Sequence, residues 1–588
     1  MANGLTSFPR SRYINVALTQ QSRRAIVLVA LGTLIVCGFG ARLAQLQIIQ
    51  GDYHRERAEK NRIALIPMPS DRGNIVDHRG RLLAANRLAR SVYLRPREQT
   101  PEQWQQTAQR LAPVLNVPAS EILDKLKQAG YRSPMSVRIS RNLSLPAFIK
   151  LAERGHEFPG VEVRGEATRY YPNGSLAAHV LGYIGEATAE DLKANPSYPM
   201  GVLIGQMGIE RLANKRLLGT WGGQIVEVDA AGREIDNLGL KPPISGESVR
   251  LTLDLEVQKA AERALGGRRG AVAVIDVKTG GVLAIASAPT FDPNLFTRRI
   301  SKREWAQLQA QDKPFLNRAL QGYPPGSTFK VITAAAGIQS GKYSASSTLM
   351  TYAAINLGGH LFHEHGGPQG VVGFRDALAF SSNTFFYQVG LATGPEQISK
   401  WGRLLGVGDL TDLRLDGGSH GMIPTPAEKT KLFQEPWYGG DTVTMSIGQG
   451  LVQATPLELA VVYAAIANGG YRVQPHLLAS ETGTHKPVKI GLDPATLAVI
   501  RDGLTAVVRE GTARRLNDGS IPLTAGKTGT AEVLGQRDHS LYAGFAPANQ
   551  PRIAIAVVVE NGGYGAEAAV PIAHEVFRTY FRKPAKPR

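Results

Sequence analysis

Residues 323–330 read Tyr-Pro-Pro-Gly-Ser-Thr-Phe-Lys, and the run over 331–338 that follows is small and mostly apolar. Pro-Pro-Gly fits a turn, and the run fits a buried helix starting near Ser327. Ser327 and Lys330 stand three apart, so on that helix they share a face. A serine hydroxyl is a poor nucleophile until a neighbouring base takes its proton. A lysine among apolar residues gives up its proton more readily, because burial disfavours its charged form. Taken alone, Ser-x-x-Lys is common, and a plain helix N-terminus with an exposed lysine reads the same way.

Two segments further along carry related chemistry. Ser381-Ser382-Asn383 follows a helix-like run over 372–380. A hydroxyl and an amide two apart can relay a proton and hold a peptide amide, and a helix cap accounts for them equally. Lys527-Thr528-Gly529-Thr530 follows Thr524-Ala525-Gly526. Glycines flanking a short Lys-Thr segment suit an edge strand that a substrate backbone approaches closely. The lysine and hydroxyls suit a carboxylate. The segment is not a phosphate-binding loop, since the G-x-x-x-x-G-K-[ST] frame is missing.

Lys241-Pro242-Pro243-Ile244-Ser245-Gly246 interrupts both helix and strand periodicity and marks the main boundary. After it, 249–253 reads as a strand, 255–265 as an amphipathic helix, and 271–276 with 282–286 as a hairpin about Thr279-Gly280-Gly281. Strands over 540–545 and 553–559 and a helix over 569–581 close the chain. Strands at both ends with helices between them predict an α/β (α+β) sandwich, one mainly antiparallel sheet between helical layers. Before the boundary, a loop over 67–74 leads into a short strand turned back at Gly80. Helix-like periodicity follows over 102–130 and 145–155, strand and turn over 161–185, and a helix over 208–219 ended by Gly219.

Composition narrows the class. A chain of 588 residues suggests about four units, or two large lobes with substructure. With 43% hydrophobic and 20% charged residues it is not mainly disordered. The single cysteine, Cys37, excludes an intramolecular disulfide and a cysteine-based zinc site. A net charge of +18 invites a nucleic-acid reading. The basic residues are scattered, without zinc-finger spacing, RNP signature or dense basic helix, so no nucleic-acid partner is expected. An anionic membrane or polymer explains the excess as well.

The N-terminus reads as an address. Residues 1–24 hold Arg10, Arg12, Arg23 and Arg24 and no acid, and 25–41 are free of charge. Seventeen helical residues span about 26 Å, enough for a hydrocarbon core if Arg42 reaches the interface. The arginines place the N-terminus in the cytoplasm and export everything after residue ~46. A cleaved signal peptide, a lipid anchor at Cys37 and a buried soluble helix are the competing readings. The expected division is a tail (1–24), a transmembrane helix (25–46), an elongated mixed domain (47–245) and a catalytic domain (246–588).

In this order, Ser-x-x-Lys, Ser-x-Asn and Lys-Thr-Gly form the signature of penicillin-binding proteins and serine β-lactamases. The usual middle motif is Ser-Asp-Asn; here Ser382 replaces the aspartate and leaves Ser381 and Asn383 in place. Asp71-Arg72-Gly73-Asn74-Ile75-Val76-Asp77 resembles the opening box of class B penicillin-binding proteins. Pro436-Trp437-Tyr438-Gly439-Gly440-Asp441-Thr442, Gly448-Gln449-Gly450 and Ala454-Thr455-Pro456 are similar to the elongation branch, penicillin-binding protein 2. The resemblance runs from the membrane anchor to about Phe581.

The resemblance implies a bacterial peptidoglycan D,D-transpeptidase of cell elongation, inhibited covalently by β-lactams, with residues 47–245 as a pedestal. Ser327 is the implied nucleophile, Lys330 its general base, and Ser381 the group that returns a proton to the leaving D-Ala. Asn383 is expected to hold the amide of the donor stem peptide. Lys527, Thr528, Gly529 and Thr530 are expected to receive the terminal carboxylate, with the N–H groups of Ser327 and Thr530 as oxyanion hole. No metal or organic cofactor is implied. The implied partners are peptidoglycan stem peptides, β-lactams, the cytoplasmic (inner) membrane with the bulk of the chain outside it, and a SEDS-type (RodA-like) glycosyltransferase. A D,D-carboxypeptidase and a β-lactam-binding scaffold are the alternatives. A β-lactamase is disfavoured, since no Glu-x-x-Leu-Asn-like segment lies between Asn383 and Lys527. His360, His363, Glu364 and His365, among Gly358, Gly359, Gly366 and Gly367, fit no single helix face. A flexible loop near the active site is expected there, with a zinc site as its competitor.

Overall fold

The computed structural model describes all residues except 1–13, 134–135, 200, 230–233, 409–412 and 583–588. Arg10 and Arg12 of the expected tail lie outside the described residues. Ile14–Ala44 is a helix, and the stretch Arg23–Ile49 is long and apolar enough to cross a membrane, with none of it buried against the protein. A helix that is apolar all round and packs on nothing has lipid as its natural solvent. Gly51–Arg62 continues as a polar helix.

Next come two larger sheets, beside a two-stranded one of Ile184–Glu186 and Leu203–Gly205. Ile63–Met68, Gly222–Val228 and Glu234–Lys241 form an antiparallel three-stranded sheet. The long strand Leu82–Leu94 pairs along Val161–Tyr170 and also with Val137–Ser140 and Ile75–Val76. The expected helical stretch 102–130 is two helices, Pro101–Leu115 and Ala119–Ala129. The break falls at Asn116, left-handed at φ 53°, just before Val117-Pro118. Trp104, Leu111, Ile122 and Leu126 from the two helices bury against Val92 and Leu94 of the sheet. The expected helix 208–219 is also split, into Gly208–Leu212 and Asn214–Leu217. There the side chains are committed elsewhere: Asn214 Oδ1 accepts from Gly205 N and Arg72 Nη1, both at 3.0 Å.

A buried charge cluster ties these pieces together. The Glu210 carboxylate is fully buried and accepts from Arg72 Nε and Arg169 Nε, each at 2.6 Å, and from Tyr171 OH at 3.1 Å. Burial alone would raise its pKa; the two guanidinium groups outweigh burial and hold it below the usual carboxylate value. Arg169 Nη1 also donates to Gly73 O at 2.8 Å. Gly73 has no room for a side chain, since a Cβ would stand 2.0 Å from Glu247 O. Thus 71–77 is clamped between this cluster and the segment that enters the second half. Asp77 accepts from Arg81 Nε at 2.7 Å and from Leu255 N at 3.3 Å. Val249–Arg250 completes the junction by pairing in parallel with Ile75–Val76.

The second half holds one five-stranded sheet. We label α1 (Leu255–Leu265), β1 (Gly270–Asp276), β2 (Val282–Ala288), α2 (Lys330–Gln339), β3 (Ala354–Leu357), β4 (His360–His363), α3 (Asn383–Thr393), α4 (Pro456–Ala467), β5 (Ala525–Ala531), β6 (His539–Ala546), β7 (Ile553–Val559) and α5 (Gly565–Phe581). The strand order is β2-β1-β7-β6-β5, antiparallel throughout, so strands from both ends of this half share one sheet as expected. α1 and α5 cover one face, where Val257, Ala261, Val570 and Phe577 meet Val272, Val274 and Val557. Residues of α4, every one of them buried, are in the core on the other face with those of α2. α5 begins four residues before its expected start, at Gly565, whose Cβ would lie 2.5 Å from the carbonyls of Gly529 and Leu541.

Removing the charge of Glu210 leaves two arginines buried opposite a neutral side chain. Glu210→Gln is expected to destabilise the fold by about 3–5 kcal/mol. Thermal unfolding of the detergent-solubilised chain checks it, and an unchanged melting temperature contradicts it.

Candidate active site

Ser327 lies in a single 3₁₀ turn, Gly326–Phe329, that leads into α2. The expected helix therefore starts tighter than an α-helix, as helix N-termini often do. Three bonds fix the turn. Gly326 N donates to Gly448 O at 2.9 Å, Thr328 Oγ1 to Pro325 O at 2.6 Å, and the Tyr463 hydroxyl of α4 to Thr328 O at 2.9 Å. Gly326 is left-handed at φ 52°, and a Cβ on it would stand 2.7 Å from Thr530 O. Glycine at 326 thus allows the serine turn to touch the edge strand. Ser327 remains half-buried, while Lys330 is completely buried.

The second motif meets that lysine from across the cleft. After the helix Phe374–Ala379, Ser381 adopts φ 65°. A non-glycine residue in that region costs about 1–3 kcal/mol and persists only where its surroundings over-determine it. The turn presents both oxygens of Ser381 to Lys330. Lys330 Nζ donates to Ser381 O and to Asn383 Oδ1, both at 2.7 Å, and lies 3.3 Å from Ser381 Oγ. Ser381 Oγ in turn donates to Ser327 Oγ at 3.0 Å. A neutral amine has two N–H groups and one lone pair. The two N–H groups match the two obligate acceptors, Ser381 O and Asn383 Oδ1. The lone pair is then free to take a proton once the two hydroxyls turn, so that Ser327 donates to Ser381 and Ser381 to Nζ.

The third motif is β5, the last strand of the sheet, as the glycine pattern predicted. Gly529 lies against the serine turn, with room for a Cβ only at 3.0 Å from Pro325 O and Thr328 Cγ2. Lys527 is completely buried, and its Nζ donates to Thr528 O at 3.1 Å. Burial brings its pKa down to about 7. The Thr528 hydroxyl pairs with that of Thr512 at 2.6 Å, and Thr530 is half-buried at the cleft. Burial, and next the nearby charge of Lys527, hold Lys330 well below the ordinary lysine range; the Glu364 carboxylate pulls the other way. The Phe386 ring lies 5.6 Å from Nζ.

All eight sequence-predicted residues are therefore gathered where the serine turn, the start of α2, the Ser381–Asn383 corner and the edge strand meet. The histidine cluster is different. Residues 354–363 form a two-stranded hairpin, β3 and β4, rather than a flexible loop. The ladder extends through Glu364 N, which donates to Ala353 O at 2.9 Å. His360, His363 and His365 are exposed, and His360 and His363, three apart on one strand, point to opposite faces. Among the described residues no group of three or more His, Cys, Asp or Glu side chains is arranged to hold a metal ion. Glu364, considered in the sequence only as a ligand, instead bonds the start of α3. Its position five residues after the Gly358-Gly359 turn was the only signal, and nothing in the sequence tied it to 382–384.

Residues 270–578 match the penicillin-binding protein transpeptidase domain, and residues 67–251 the penicillin-binding protein dimerisation domain. The chain is 36% identical to the peptidoglycan D,D-transpeptidase MrdA of Acinetobacter baumannii, over 94% of this chain and 87% of that protein. It is 35% identical to the MrdA of Escherichia coli K12, over 92% of each. Among solved structures, penicillin-binding protein 2 of Helicobacter pylori in complex with MreC superposes with a TM-score of 0.77 at 28% identity, over 88% of this chain and 98% of that one. A structure described as a peptidoglycan synthase complex coordinating polymerisation and crosslinking gives 0.71 at 30% identity, over 96% and 100%. With both family domains in order and relatives matched along nearly its whole length, the chain belongs to the class B penicillin-binding proteins, in the penicillin-binding protein 2 branch.

Proposed function

We infer that this chain is a peptidoglycan D,D-transpeptidase that cross-links stem peptides through an acyl-enzyme on Ser327. The observation that carries the assignment of roles is the hydrogen-bonded chain Ser327–Ser381–Lys330–Asn383 closed against the edge strand. In this reading neutral Lys330 takes the Ser327 proton, directly or through the Ser381 hydroxyl, as Oγ attacks the carbonyl of the penultimate D-Ala. The oxyanion sits between the N–H groups of Ser327 and Thr530, a placement supported by the contact of the serine turn with Thr530. Ser381 passes the proton to the leaving D-Ala. An amine from a neighbouring stem peptide then takes the acyl group and frees Ser327.

Asn383 holds the donor amide with the part of its side chain that Lys330 does not use. Lys527, Thr528, Gly529 and Thr530 receive the terminal carboxylate of the peptide or of a β-lactam. A carboxylate there favours the charged form of Lys527, which burial alone leaves half-titrated near pH 7. The same reading divides the chain into tail (1–24), membrane helix (25–46), pedestal (47–245) and transpeptidase unit (246–588), anchored by one span in the cytoplasmic membrane with its bulk outside. The apolar helix and the close packing of Gly73 on Glu247 support it. A RodA-like glycosyltransferase is the proposed partner. Support comes from the likeness to a synthase complex that couples polymerisation to crosslinking.

Labelling with a fluorescent penicillin, followed by peptide mapping, is expected to mark Ser327, and Ser327→Ala to abolish the mark. Label on another residue contradicts the assignment. With a D-Ala-D-Ala peptide and an amine acceptor, the product mass is expected to be that of the cross-linked amide; hydrolysis alone identifies a carboxypeptidase.

The base must be neutral, so acylation is expected to fall as pH drops through the Lys330 pKa. Because that pKa lies well below 10.5, the acidic limb is expected well below pH 10.5. A limb centred at 10.5 contradicts the role given to Lys330, and so does retention of full activity by Lys330→Ala, expected to lose about 10²–10⁴-fold.

A further inference from the structure

Glu364 lies outside the three motifs, at the end of β4, yet it holds the second of them. Its Oε1 accepts from Asn383 N at 2.5 Å and from His365 N at 2.9 Å. Its Oε2 accepts from Ser382 Oγ at 2.6 Å, Thr384 N at 3.0 Å and Thr384 Oγ1 at 2.6 Å. Four of these five bonds come from three consecutive residues that open α3. One donor is the backbone of Asn383, whose side chain is the acceptor for Lys330.

A helix start leaves its first N–H groups without partners. Ser382 caps α3 from within, through a bond from Phe385 N at 3.3 Å. The N–H groups of Asn383 and Thr384 are left to the carboxylate of a hairpin distant in sequence. A negative charge there also suits the positive end of the helix. Burial pushes the Glu364 carboxyl up, but the bonds from Ser382, Thr384 and Asn383 outweigh burial and hold it below the ordinary value. It is thus an anion wherever the enzyme works. Next to it, Ser381 keeps a left-handed backbone that needs rigid surroundings.

We propose that Glu364 is a positioning residue for acyl transfer, acting through Asn383 and the adjoining Ser381 turn to aim both at Lys330. This rests on the reading of Ser327 as nucleophile and Lys330 as base. The hairpin carboxylate sets where α3 begins, the start of α3 sets the Asn383 side chain and the Ser381 carbonyl, and these two acceptors orient the amine. The charged groups that face Lys330 are Lys527 of β5, which disfavours the ammonium form, and Glu364 of the hairpin, which favours it. The Phe386 ring of α3 and the polar atoms of Ser381 and Asn383 complete its surroundings.

The test is the rate of acylation of the detergent-solubilised full chain by a fluorescent penicillin, followed from about pH 5 to pH 10. In Glu364→Gln the side chain keeps its size and loses its charge. Acylation is expected to slow about 10- to 100-fold at the optimum, since bonds to a charged acceptor in a half-buried site are lost. The acidic limb is expected to move to lower pH, because an anion that favoured protonated Lys330 is gone. In Glu364→Asp the charge stays but the carboxylate withdraws by one methylene. Acylation is expected to slow with the limb in its wild-type place. Wild-type rate in either variant overturns the proposal, and so does a slow Glu364→Gln whose limb has not moved, which marks a merely structural role. If Glu364→Gln does not fold, the rate of Glu364→Asp decides alone. Wild-type chain that takes no label on Ser327 defeats the functional reading itself; a labelled wild type with indifferent Glu364 variants defeats only this inference.

Discussion

One buried amine organises the catalytic half. Lys330 has no contact with water, and its Nζ is satisfied by a carbonyl and a side-chain amide from the Ser381–Asn383 corner. An ammonium ion there carries a desolvation cost and faces a second buried lysine, Lys527. Those two facts drive the group toward its neutral form, the only form that can take a proton. The rest of the fold brings the three surrounding elements to within bonding distance. The fully buried α4 pins the serine turn through Tyr463, the sheet delivers β5 as an unpaired edge, and the α3 start is tied to a hairpin.

Much of this was legible in the sequence because it rests on local rules. Periodicity and turn residues located α1, β1, β2, β6 and β7 to within a few residues, and the three motifs named every side chain on the Lys330 chain. What escaped depends on contacts between distant segments. The helix expected over 208–219 breaks because Asn214 and Glu210 serve partners more than forty residues away along the chain. Asn116 stops a helix that apolar spacing alone would carry on. The role of Glu364 was hidden for the same reason. Three histidines beside it suggest a metal, whereas its bonding partners lie about twenty residues downstream and become neighbours only when the hairpin folds back. The left-handed Ser381 has no sequence marker either, since serine gives no hint of that geometry.

The pedestal and the catalytic half are joined by more than a linker. Asp77 reaches the start of α1, Gly73 packs on Glu247, and Val249–Arg250 lies in the pedestal sheet. The buried Glu210 cluster stiffens the segment that makes these contacts. These polar, geometrically demanding contacts stand beside a continuous apolar core, in which Ile75, Leu181 and Ile209 cluster with Leu253, Leu255 and Ile285.

In the proposed mechanism Lys330 is an uncharged amine at working pH. The most direct measurement is an NMR pH titration of the chain labelled at its lysine side chains, with the Lys330 signal assigned by its loss in Lys330→Arg. That signal is expected to titrate well below 10.5. Titration at 10.5 or above would leave the nucleophile without its base and contradict the role given to Lys330.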